Sequence, residues 1–279
     1  MYIKRLDKNF EFPDTYTWMM GIMNVTPDSF SDGGKYTTED NIKKQTHLLI
    51  SQDVDIIDIG GESTRPGHTP TTVQEELDRI VPAIKAVREV SEEVIISVDT
   101  WKAEVARAAL EAGADIINDQ WAATREPEIA AVCAEFNAPL ILMHNREEYK
   151  PYDDIMEEMK VDLNHSIDIA LEQGVDRNQI ILDPGVGFAK TPNDNLETIQ
   201  RLGELRELGL PILLATSRKG FIGKLYASAA NQRDVGTSAT TVAGILNGGA
   251  DMVRVHNVQA NKEAATVADA IMRGTIDLD

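Results

Sequence analysis

Side chains that can bind protons, anions or N–H donors follow eight short apolar runs of this sequence. The runs contain few reactive groups, whereas carboxylates, amides, hydroxyls and cations stand where the runs end. These residues are, in chain order, Asn24, Glu62, Thr64, Arg65, Asp99, Asn118, Asp119, His144, Asn145, Asp183, Ser217, Arg218, Lys219, Arg254 and His256. Carboxylates and amides accept N–H donors or bind hard cations, and arginine, lysine and histidine bind anions. Because every run contributes, the pattern predicts one polar site built from many segments.

The spacing of the apolar runs predicts parallel strands joined by helices. Several runs are apolar at consecutive positions, as in strands covered on both faces, and amphipathic stretches ending at glycine, such as 195–209, separate them. Eight such units without a break in composition predict an α/β fold, the (β/α)8 TIM barrel. A doubly wound sheet is the main alternative, but the fingerprint G-x-G-x-x-G does not follow the first run. The runs are 17–25, 55–61, 94–100, 115–120, 139–144, 180–185, 211–217 and 251–256.

Length and composition limit the class of protein. The 279 residues suit one barrel domain at 17–279 after an N-terminal lead-in at 1–16. A net charge of −19 argues against binding of nucleic acid or an anionic membrane. No apolar run reaches the roughly 18 residues of a membrane span, and no secretory signal is evident, so a cytoplasmic location is expected. The single cysteine, Cys133, is expected to be a buried structural thiol.

The positions of the polar residues predict an active site at the barrel mouth. Active sites of these barrels lie at the carboxyl ends of the strands. Helix capping explains a lone Asp119 or Asn145, but it does not call for cations after the seventh and eighth runs. Loops at those two places commonly bind phosphate, so Lys219, Arg254 and His256 are predicted to bind an anionic substrate group. Pairing of Arg254 with nearby acids is the alternative.

The sequence gives a weaker signal for metal binding. H-E-x-x-H, CxxC and EF-hand patterns are absent from it, so neither zinc nor a dedicated calcium site is expected. Mg²⁺ needs only one or two protein oxygens when substrate phosphates supply others. Asn24, at the end of the first run, is a candidate for such a ligand.

Eight motifs in order resemble the dihydropteroate synthase family from residue 18 to residue 260. They are "GIMNVTPDSFSDGG", "IIDIGGESTRPG", "SVDT", "IIND", "LMH", "LDPGVGFAKT", "TSRKGFIG" and "RVHNV". The resemblance implies a (β/α)8 barrel enzyme of folate biosynthesis. Such an enzyme joins 6-hydroxymethyl-7,8-dihydropterin diphosphate to 4-aminobenzoate, with Mg²⁺, and releases diphosphate. It further implies a homodimer and competition by sulfonamides.

The resemblance also implies roles for individual residues. A pterin presents a guanidine-like edge of two N–H donors, and Asp183 is the carboxylate expected to accept both. The pterin site is expected to comprise Asp99, Asn118, Met143, Asp183, Phe188 and Lys219. Thr64, Arg254 and His256 are expected to hold the diphosphate, Asn24 the Mg²⁺, and Arg65 and Ser217 the aminobenzoate, with Asp28 and Phe30 reaching the site from a mobile loop at 23–34. The catalytic groups would be Asp99, Lys219, Arg254 and His256, acting in an SN1-like step.

Two alternatives share part of this pattern. A barrel that transfers a methyl group from methyltetrahydrofolate would keep Asp99, Asn118 and Asp183, but it would have no need of a diphosphate set. A pterin-binding paralogue without catalysis should have lost part of the magnesium and diphosphate residues. The presence of Thr64, Arg254 and His256 together favours the synthase over both.

Overall fold

The fold is known from a computed structural model, which describes residues 2–5, 8–11, 16–26, 38–62 and 71–274. A two-stranded antiparallel hairpin, β1 (Tyr2–Arg5) and β2 (Lys8–Glu11), precedes the main sheet. The main strands are β3 (Trp18–Asn24), β4 (Ile56–Gly60), β5 (Ile95–Asp99), β6 (Ile116–Asp119), β7 (Leu140–Met143), β8 (Ile180–Asp183), β9 (Leu213–Leu214) and β10 (Met252–Val255). In the described ranges no helix has the length and apolar character needed to cross a membrane.

Helices alternate with these strands along the chain. They are α1 (Thr38–Ser51), α2 (Val73–Val90), α3 (Ala103–Glu111), α4 (Glu128–Phe136), α5 (Ile155–Glu172), α6 (Pro192–Gln200), α7 (Gly220–Tyr226), α8 (Asp234–Leu246) and α9 (Val258–Arg273). Several begin at a side-chain cap. Thr72 starts α2 and Thr191 starts α6 with a capping box, and Asp154 accepts two backbone N–H groups at the start of α5.

The eight strands of the main sheet are parallel and form a nearly closed barrel. Their order is β8-β7-β6-β5-β4-β3-β10-β9. A parallel bridge between Leu182 and Ile212 joins the two end strands, and the N–H of Leu182 donates to Pro211 O at 2.9 Å. The predicted (β/α)8 barrel is therefore confirmed.

Alternation along each strand separates an inner from an outer set of side chains. The inner set is a compact cluster at the amino-terminal end of the barrel: Trp18, Met20, Ile56, Ile95, Ile116, Ile141, Ile181, Leu213 and Met252. The outer set packs against the helices. Side chains two positions apart on a strand point to the same face. Thus Asp58 follows Ile56, Asp183 follows Ile181 and Arg254 follows Met252, and the apolar cluster forms the floor beneath a polar site.

Three aspartates join neighbouring strands at the opposite, amino-terminal end of the barrel. Asp55, Asp115 and Asp251 directly precede β4, β6 and β10. Their carboxylates accept the backbone N–H groups of Met19, Ile96 and Ile212, at 2.7, 2.8 and 2.9 Å respectively. We call them the lower-rim aspartates. Residues at this end of such barrels usually contribute to stability. The lower-rim aspartates therefore hold neighbouring strands together at a distance from the site.

The stretch 195–209 is helical as predicted, but it is divided between two helices. Helix α6 ends at Gln200, and a 3₁₀ helix (Leu202–Leu208) follows it. At the end of α6 the side-chain Nδ2 of Asn247 donates to Ile199 O at 3.1 Å. The predicted stop at Gly209 is confirmed, because Gly209 has a φ of 68° at the end of the 3₁₀ helix.

Candidate active site

Arg254 lies between two carboxylates at the centre of the barrel mouth. Its Nε donates to Asp58 Oδ2 at 2.7 Å, and its Nη2 donates to Asp99 Oδ2 at 3.0 Å. Asn118 Nδ2 approaches Asp58 Oδ1 at 3.4 Å. A guanidinium has five N–H donors, so three remain beyond these two bonds. Pairing with acids, the alternative foreseen for Arg254, is thus present, and it orients the guanidinium without using all its donors.

Burial and neighbouring charge perturb Asp99. Its pKa is raised to about 7, first because the carboxylate is desolvated and further because the charge of Asp58 faces it. The guanidinium of Arg254 opposes that rise in pKa. A carboxyl group poised near neutral pH within a cleft is typical of functional sites.

Asp183 lies on the neighbouring part of the inner wall, together with Lys219. The N–H of Gly185 donates to Asp183 Oδ1 at 2.7 Å, which leaves the second carboxylate oxygen for a ligand. Burial raises the pKa of Asp183 to about 6 and lowers the pKa of Lys219 to about 8. Each of these two charges favours the ionised form of the other. The carboxylate accepts hydrogen bonds and the lysine donates them, so the pair can recognise a group that has both N–H donors and an acceptor.

An aromatic wall completes this part of the site. Lys219 Nζ lies 4.1 Å from the centroid of the Phe188 ring, within the range of a cation–π contact. Gly187 has a φ of 90°, and a Cβ at that position would lie only 2.9 Å from Lys219 Cδ. Glycine at 187 therefore lets the lysine cross the loop to reach the inner wall. Met143, 5% exposed and paired in register with Asp183, adds an apolar surface.

Ser217 fixes the protonation pattern of His256. The backbone N–H of His256 donates to Ser217 Oγ at 3.0 Å, and the same Oγ lies 2.8 Å from His256 Nδ1. We assign the hydroxyl proton of Ser217 to the contact with Nδ1, because an oxygen that accepts the backbone N–H still has its own proton to donate. Burial lowers the pKa of His256 to about 4, so the ring is neutral and carries its proton on Nε2. His256 therefore offers one N–H donor on the side away from Ser217.

Two oxygen atoms at the end of β3 and β5 suit a hard cation. Asn24 is exposed at the carboxyl end of β3. A Cβ on Gly60 would lie 3.3 Å from Asn24 Oδ1 and 3.9 Å from Asp99 Oδ2, so both oxygens border the space that this glycine leaves open. An amide oxygen with solvent on one side fits Mg²⁺, which keeps several waters or phosphate oxygens.

The structure brings most of the predicted site residues to the same mouth. These are Asn24, Asp99, Asn118, Met143, Asp183, Phe188, Ser217, Lys219, Arg254 and His256. Four others, Asp28, Phe30, Thr64 and Arg65, lie outside the described residues. The chain leading to the last two is anchored at Glu62, whose carboxylate accepts Lys102 Nζ at 2.5 Å.

Two strand-end residues have structural contacts. Asp119 accepts the N–H groups of Trp121 and Ala123 at 2.8 and 2.6 Å. Asn145 Nδ2 donates to Gln120 O at 3.2 Å. Their contacts are structural, but the helix-capping explanation is wrong, because Pro127 precedes α4 and Asp154 caps α5.

Asp58 is the site residue that the sequence reasoning missed. It lies within an apolar run and not at its end, and it is fully buried. A signal was present, because a charged residue in the middle of a buried strand requires a partner. Asp58 also has the same inward phase as Ile56 and Gly60.

Comparison with known proteins gives the class of protein first. Residues 20–256 match the family described as pterin binding enzymes. A dihydropteroate synthase of Clostridium beijerinckii is 48% identical over 92% of this chain and 95% of its own. A crystal structure of dihydropteroate synthase from Clostridium difficile in the presence of pteroic acid has a TM-score of 0.89 at 46% identity, covering 92% of this chain and 97% of that one.

A third relative is the dihydropteroate synthase of Yersinia pestis in a sulfonamide complex. It has a TM-score of 0.88 at 35% identity, covering 99% of this chain and all of that one. Within the pterin binding enzymes, this chain belongs to the dihydropteroate synthase family.

Proposed function

We propose that this protein condenses 6-hydroxymethyl-7,8-dihydropterin diphosphate with 4-aminobenzoate to give 7,8-dihydropteroate and diphosphate. The observation that carries the proposal is that one barrel mouth holds Asp183 and Lys219, from β8 and the loop after β9, beside Arg254 of the neighbouring β10 and His256 directly after it. One half of this mouth suits a heterocycle with an N–H edge, and the other suits an anionic leaving group. The structure of the Clostridium difficile relative was obtained in the presence of pteroic acid, which contains both a pterin and an aminobenzoate unit, and this supports the same pair of substrates here.

The pterin half is assigned to the inner wall around Asp183. Both carboxylate oxygens of Asp183 accept N–H donors from the pterin edge, in two parallel hydrogen bonds. One of them, Oδ1, also accepts the N–H of Gly185. Lys219 binds the carbonyl side of the ring, and Asn118 and Asp99 bind its remaining polar atoms. Phe188 and Met143 cover the ring faces, so the heterocycle is held in plane with its methylene group directed to the mouth.

The diphosphate half is assigned to Arg254 and His256, with Thr64 from the adjoining loop. The three remaining N–H donors of Arg254 and the Nε2–H of His256 bind phosphate oxygens. Mg²⁺, held by Asn24 and the diphosphate, would supply further positive charge to the leaving group when bound. These groups stabilise negative charge as it develops, which is the larger part of catalysis in such a reaction.

The reaction follows from these assignments. The C–O bond between the pterin methylene and the diphosphate breaks, and its electron pair leaves with the diphosphate. The lone pair of the arylamine nitrogen then forms the new C–N bond, and the amine proton passes to solvent. In their ionised forms, Asp99 and Asp183 offset the positive charge on the pterin in between. This sequence of steps needs no covalent intermediate with the protein.

The amine and its competitors are assigned to the outer part of the mouth. Arg65 and Ser217 are expected near the aminobenzoate, with Asp28 and Phe30 closing over it. In the structure Ser217 already binds His256, so its contact with aminobenzoate would have to use the same hydroxyl. The sulfonamide complex of the Yersinia pestis relative supports competition by sulfonamides at this place.

The homodimer is also a proposal, supported by apolar side chains on neighbouring outer helices. Leu225 on α7, Val235 on α8, and Val267 and Ile271 on α9 are 59 to 84% exposed. Burial of such a surface against a second copy would remove it from water. Action in the cytoplasm, where a protein with a free thiol and no disulfide is expected to work, completes the assignment.

Product formation tests the proposal. The purified protein is incubated with Mg²⁺, the pterin diphosphate and 4-aminobenzoate, and dihydropteroate is measured by chromatography. We expect product that disappears with EDTA and with Asp183→Asn, and that persists with Asp78→Asn, a control on the exposed face of α2. Pterin binding without product would favour the non-catalytic paralogue, and binding of methyltetrahydrofolate with methyl transfer would favour the other barrel enzyme.

A further inference from the structure

Lys190 makes three hydrogen bonds within the segment that follows β8. Its Nζ lies 2.8 Å from His144 Nδ1, and it donates to Gly185 O and to Phe188 O, both at 3.2 Å. Gly185 O also accepts the N–H of Phe188 at 3.0 Å. One ammonium group therefore ties the two ends of the turn 185–188 to the end of β7. We call the segment 184–190 the β8 loop.

His144 transmits this contact to helix α5. Burial lowers the pKa of Lys190 to about 7, and its nitrogen keeps N–H donors in both protonation states, so we assign His144 Nδ1 as the acceptor and the ring proton to Nε2. That proton points to Asp162 Oδ2 at 3.0 Å. Burial lowers the pKa of His144 to about 4, which agrees with a neutral ring. Asp162 accepts in turn from Arg146 Nε at 2.8 Å, so the contact of Lys190 extends through His144 to a carboxylate of α5.

Close contacts and hydrogen bonds hold the β8 loop in its conformation. A Cβ on Gly185 would lie 1.8 Å from His144 O, and Gly185 has a φ of 64°. The N–H of Gly187 donates to Asn195 Oδ1 at 2.6 Å, and Tyr152 OH donates to Ala189 O at 3.0 Å. These bonds fix the middle and the far end of the loop, whereas Lys190 alone joins Gly185 to Phe188 through a side chain.

The two residues joined by Lys190 bear directly on the pterin site. The N–H of Gly185 binds Asp183, the carboxylate assigned to the pterin edge. Phe188 supplies the ring that faces Lys219. A shift of Gly185 or Phe188 would move the hydrogen-bonding edge and the aromatic wall relative to each other.

We propose that Lys190 is a positioning residue for pterin binding: its ammonium, oriented by the His144–Asp162 pair, holds the β8 loop so that Asp183 and Phe188 meet the same pterin. The proposal rests on the proposed function for its ligand, but the arrangement of the loop does not. Lys190 itself touches neither reacting atom.

The first test is Lys190→Met, which keeps the length of the side chain and removes the donors. We expect the dissociation constant for 6-hydroxymethyl-7,8-dihydropterin, measured by calorimetry, to rise about tenfold, the size of a charge-assisted hydrogen bond. In turnover the KM for the pterin diphosphate should rise by a similar factor, with little change in kcat or in the KM for 4-aminobenzoate. Lys85→Met, on the exposed face of α2, is the matched control and should leave all three unchanged.

Chemical rescue separates the ammonium group from a general effect on folding. Lys190→Cys is alkylated with 2-bromoethylamine, which rebuilds a side chain of nearly the same length ending in an ammonium. Cys133, predicted to be buried, is a free thiol with no exposed surface, so the new cysteine is the one that reacts. The alkylated protein should recover most of the pterin affinity, whereas the unmodified one should resemble Lys190→Met.

Amide hydrogen exchange of the ligand-free protein gives a readout that does not depend on any substrate. Exchange in 185–190 should be faster in Lys190→Met than in the unaltered protein, with the barrel strands unchanged. Unaltered pterin affinity in Lys190→Met, or no recovery after alkylation, would overturn the proposal. If the unaltered protein binds no pterin, the proposed function fails, and the exchange rates still decide whether Lys190 holds the loop. Should Lys190→Met not fold, the alkylated and unalkylated cysteine variants make the same comparison.

Discussion

Replacement of Asp58 by asparagine tests how the site orients Arg254. The side chain keeps its shape but loses its charge, so the 2.7 Å bond from Arg254 Nε loses its ionic partner. Removal of one member of a buried ion pair costs about 3–5 kcal/mol. The second bond, to Asp99 at 3.0 Å, remains, and 17% of the Arg254 side chain is exposed. We therefore expect the loss of the Asp58 charge to cost roughly 2–3 kcal/mol of the interaction that holds Arg254 in place.

The same loss in the transition state sets the expected change in rate. If Arg254 must be aligned to stabilise the departing diphosphate, 2–3 kcal/mol corresponds to a fall in kcat/KM of about 30- to 160-fold. The assay is steady-state turnover with the pterin diphosphate varied and 4-aminobenzoate saturating. Asp78→Asn serves as the control, since it removes a carboxylate from an exposed helix face.

The pH dependence of Asp58→Asn has a definite sign. The charge of Asp58 raises the pKa of Asp99, which stands at about 7. Without that charge the pKa of Asp99 falls, so Asp99 ionises at lower pH. Because ionised Asp99 is the active form, the acidic limb of kcat/KM against pH, which reports groups of the free enzyme, should move to lower pH. A limb that stays in place, with kcat/KM within about threefold of the unaltered protein, would refute the role given to Asp58.

Three further substitutions test separate parts of the molecule. Asp183→Asn should weaken pterin binding at least about a hundredfold in calorimetry, because an amide NH2 group would face one of the two pterin N–H donors in place of a carboxylate oxygen. Ser217→Ala should raise the KM for the pterin diphosphate about fivefold, and nitrogen-15 spectra should show both neutral tautomers of His256. Asp251→Asn should lower the free energy of unfolding by about 2 kcal/mol in denaturant, with KM unchanged, since the side chain loses its charge and one of the two oxygens that accept from Arg206 and the N–H of Ile212.

Each of these has an outcome that contradicts it. Pterin affinity retained in Asp183→Asn would remove that residue from the site. A single Nε2–H tautomer persisting in Ser217→Ala would mean that another group orients His256. A change of KM in Asp251→Asn without a change of stability would contradict the structural role of the lower rim.

The barrel could be predicted because its signal is local. Each strand is a short apolar run, and each run contains the strand that the structure shows, for example Ile95–Asp99 within 94–100. Residues at strand ends were found by the same reasoning, since the mouth collects whatever follows the strands. The positions of Thr64 and Arg65 stay predictions.

The missed features depend on contacts between distant parts of the chain. Asp58 is recognised as a site residue by its bond to Arg254, 196 positions away. The end of α6 contacts Asn247, 48 positions from Ile199. Lys190 lies seven positions after Asp183, the residue assigned to the end of its run. Its partner His144 follows β7, 46 positions away. Spacing within a sequence does not reveal such pairings.

The lower-rim aspartates have a consequence for how variants of this protein should behave in cells. Asp55, Asp115 and Asp251 are aspartates near strands, as are Asp58, Asp99 and Asp183, yet the two groups lie at opposite ends of the same barrel. Loss of a carboxylate at the amino-terminal end should reduce the amount of folded protein while each surviving molecule turns over normally. Loss at the mouth should reduce the turnover of each folded molecule, and for the fully buried Asp58 it should lower abundance as well. A survey that measures both quantities would therefore sort the aspartates by the end of the barrel on which they lie.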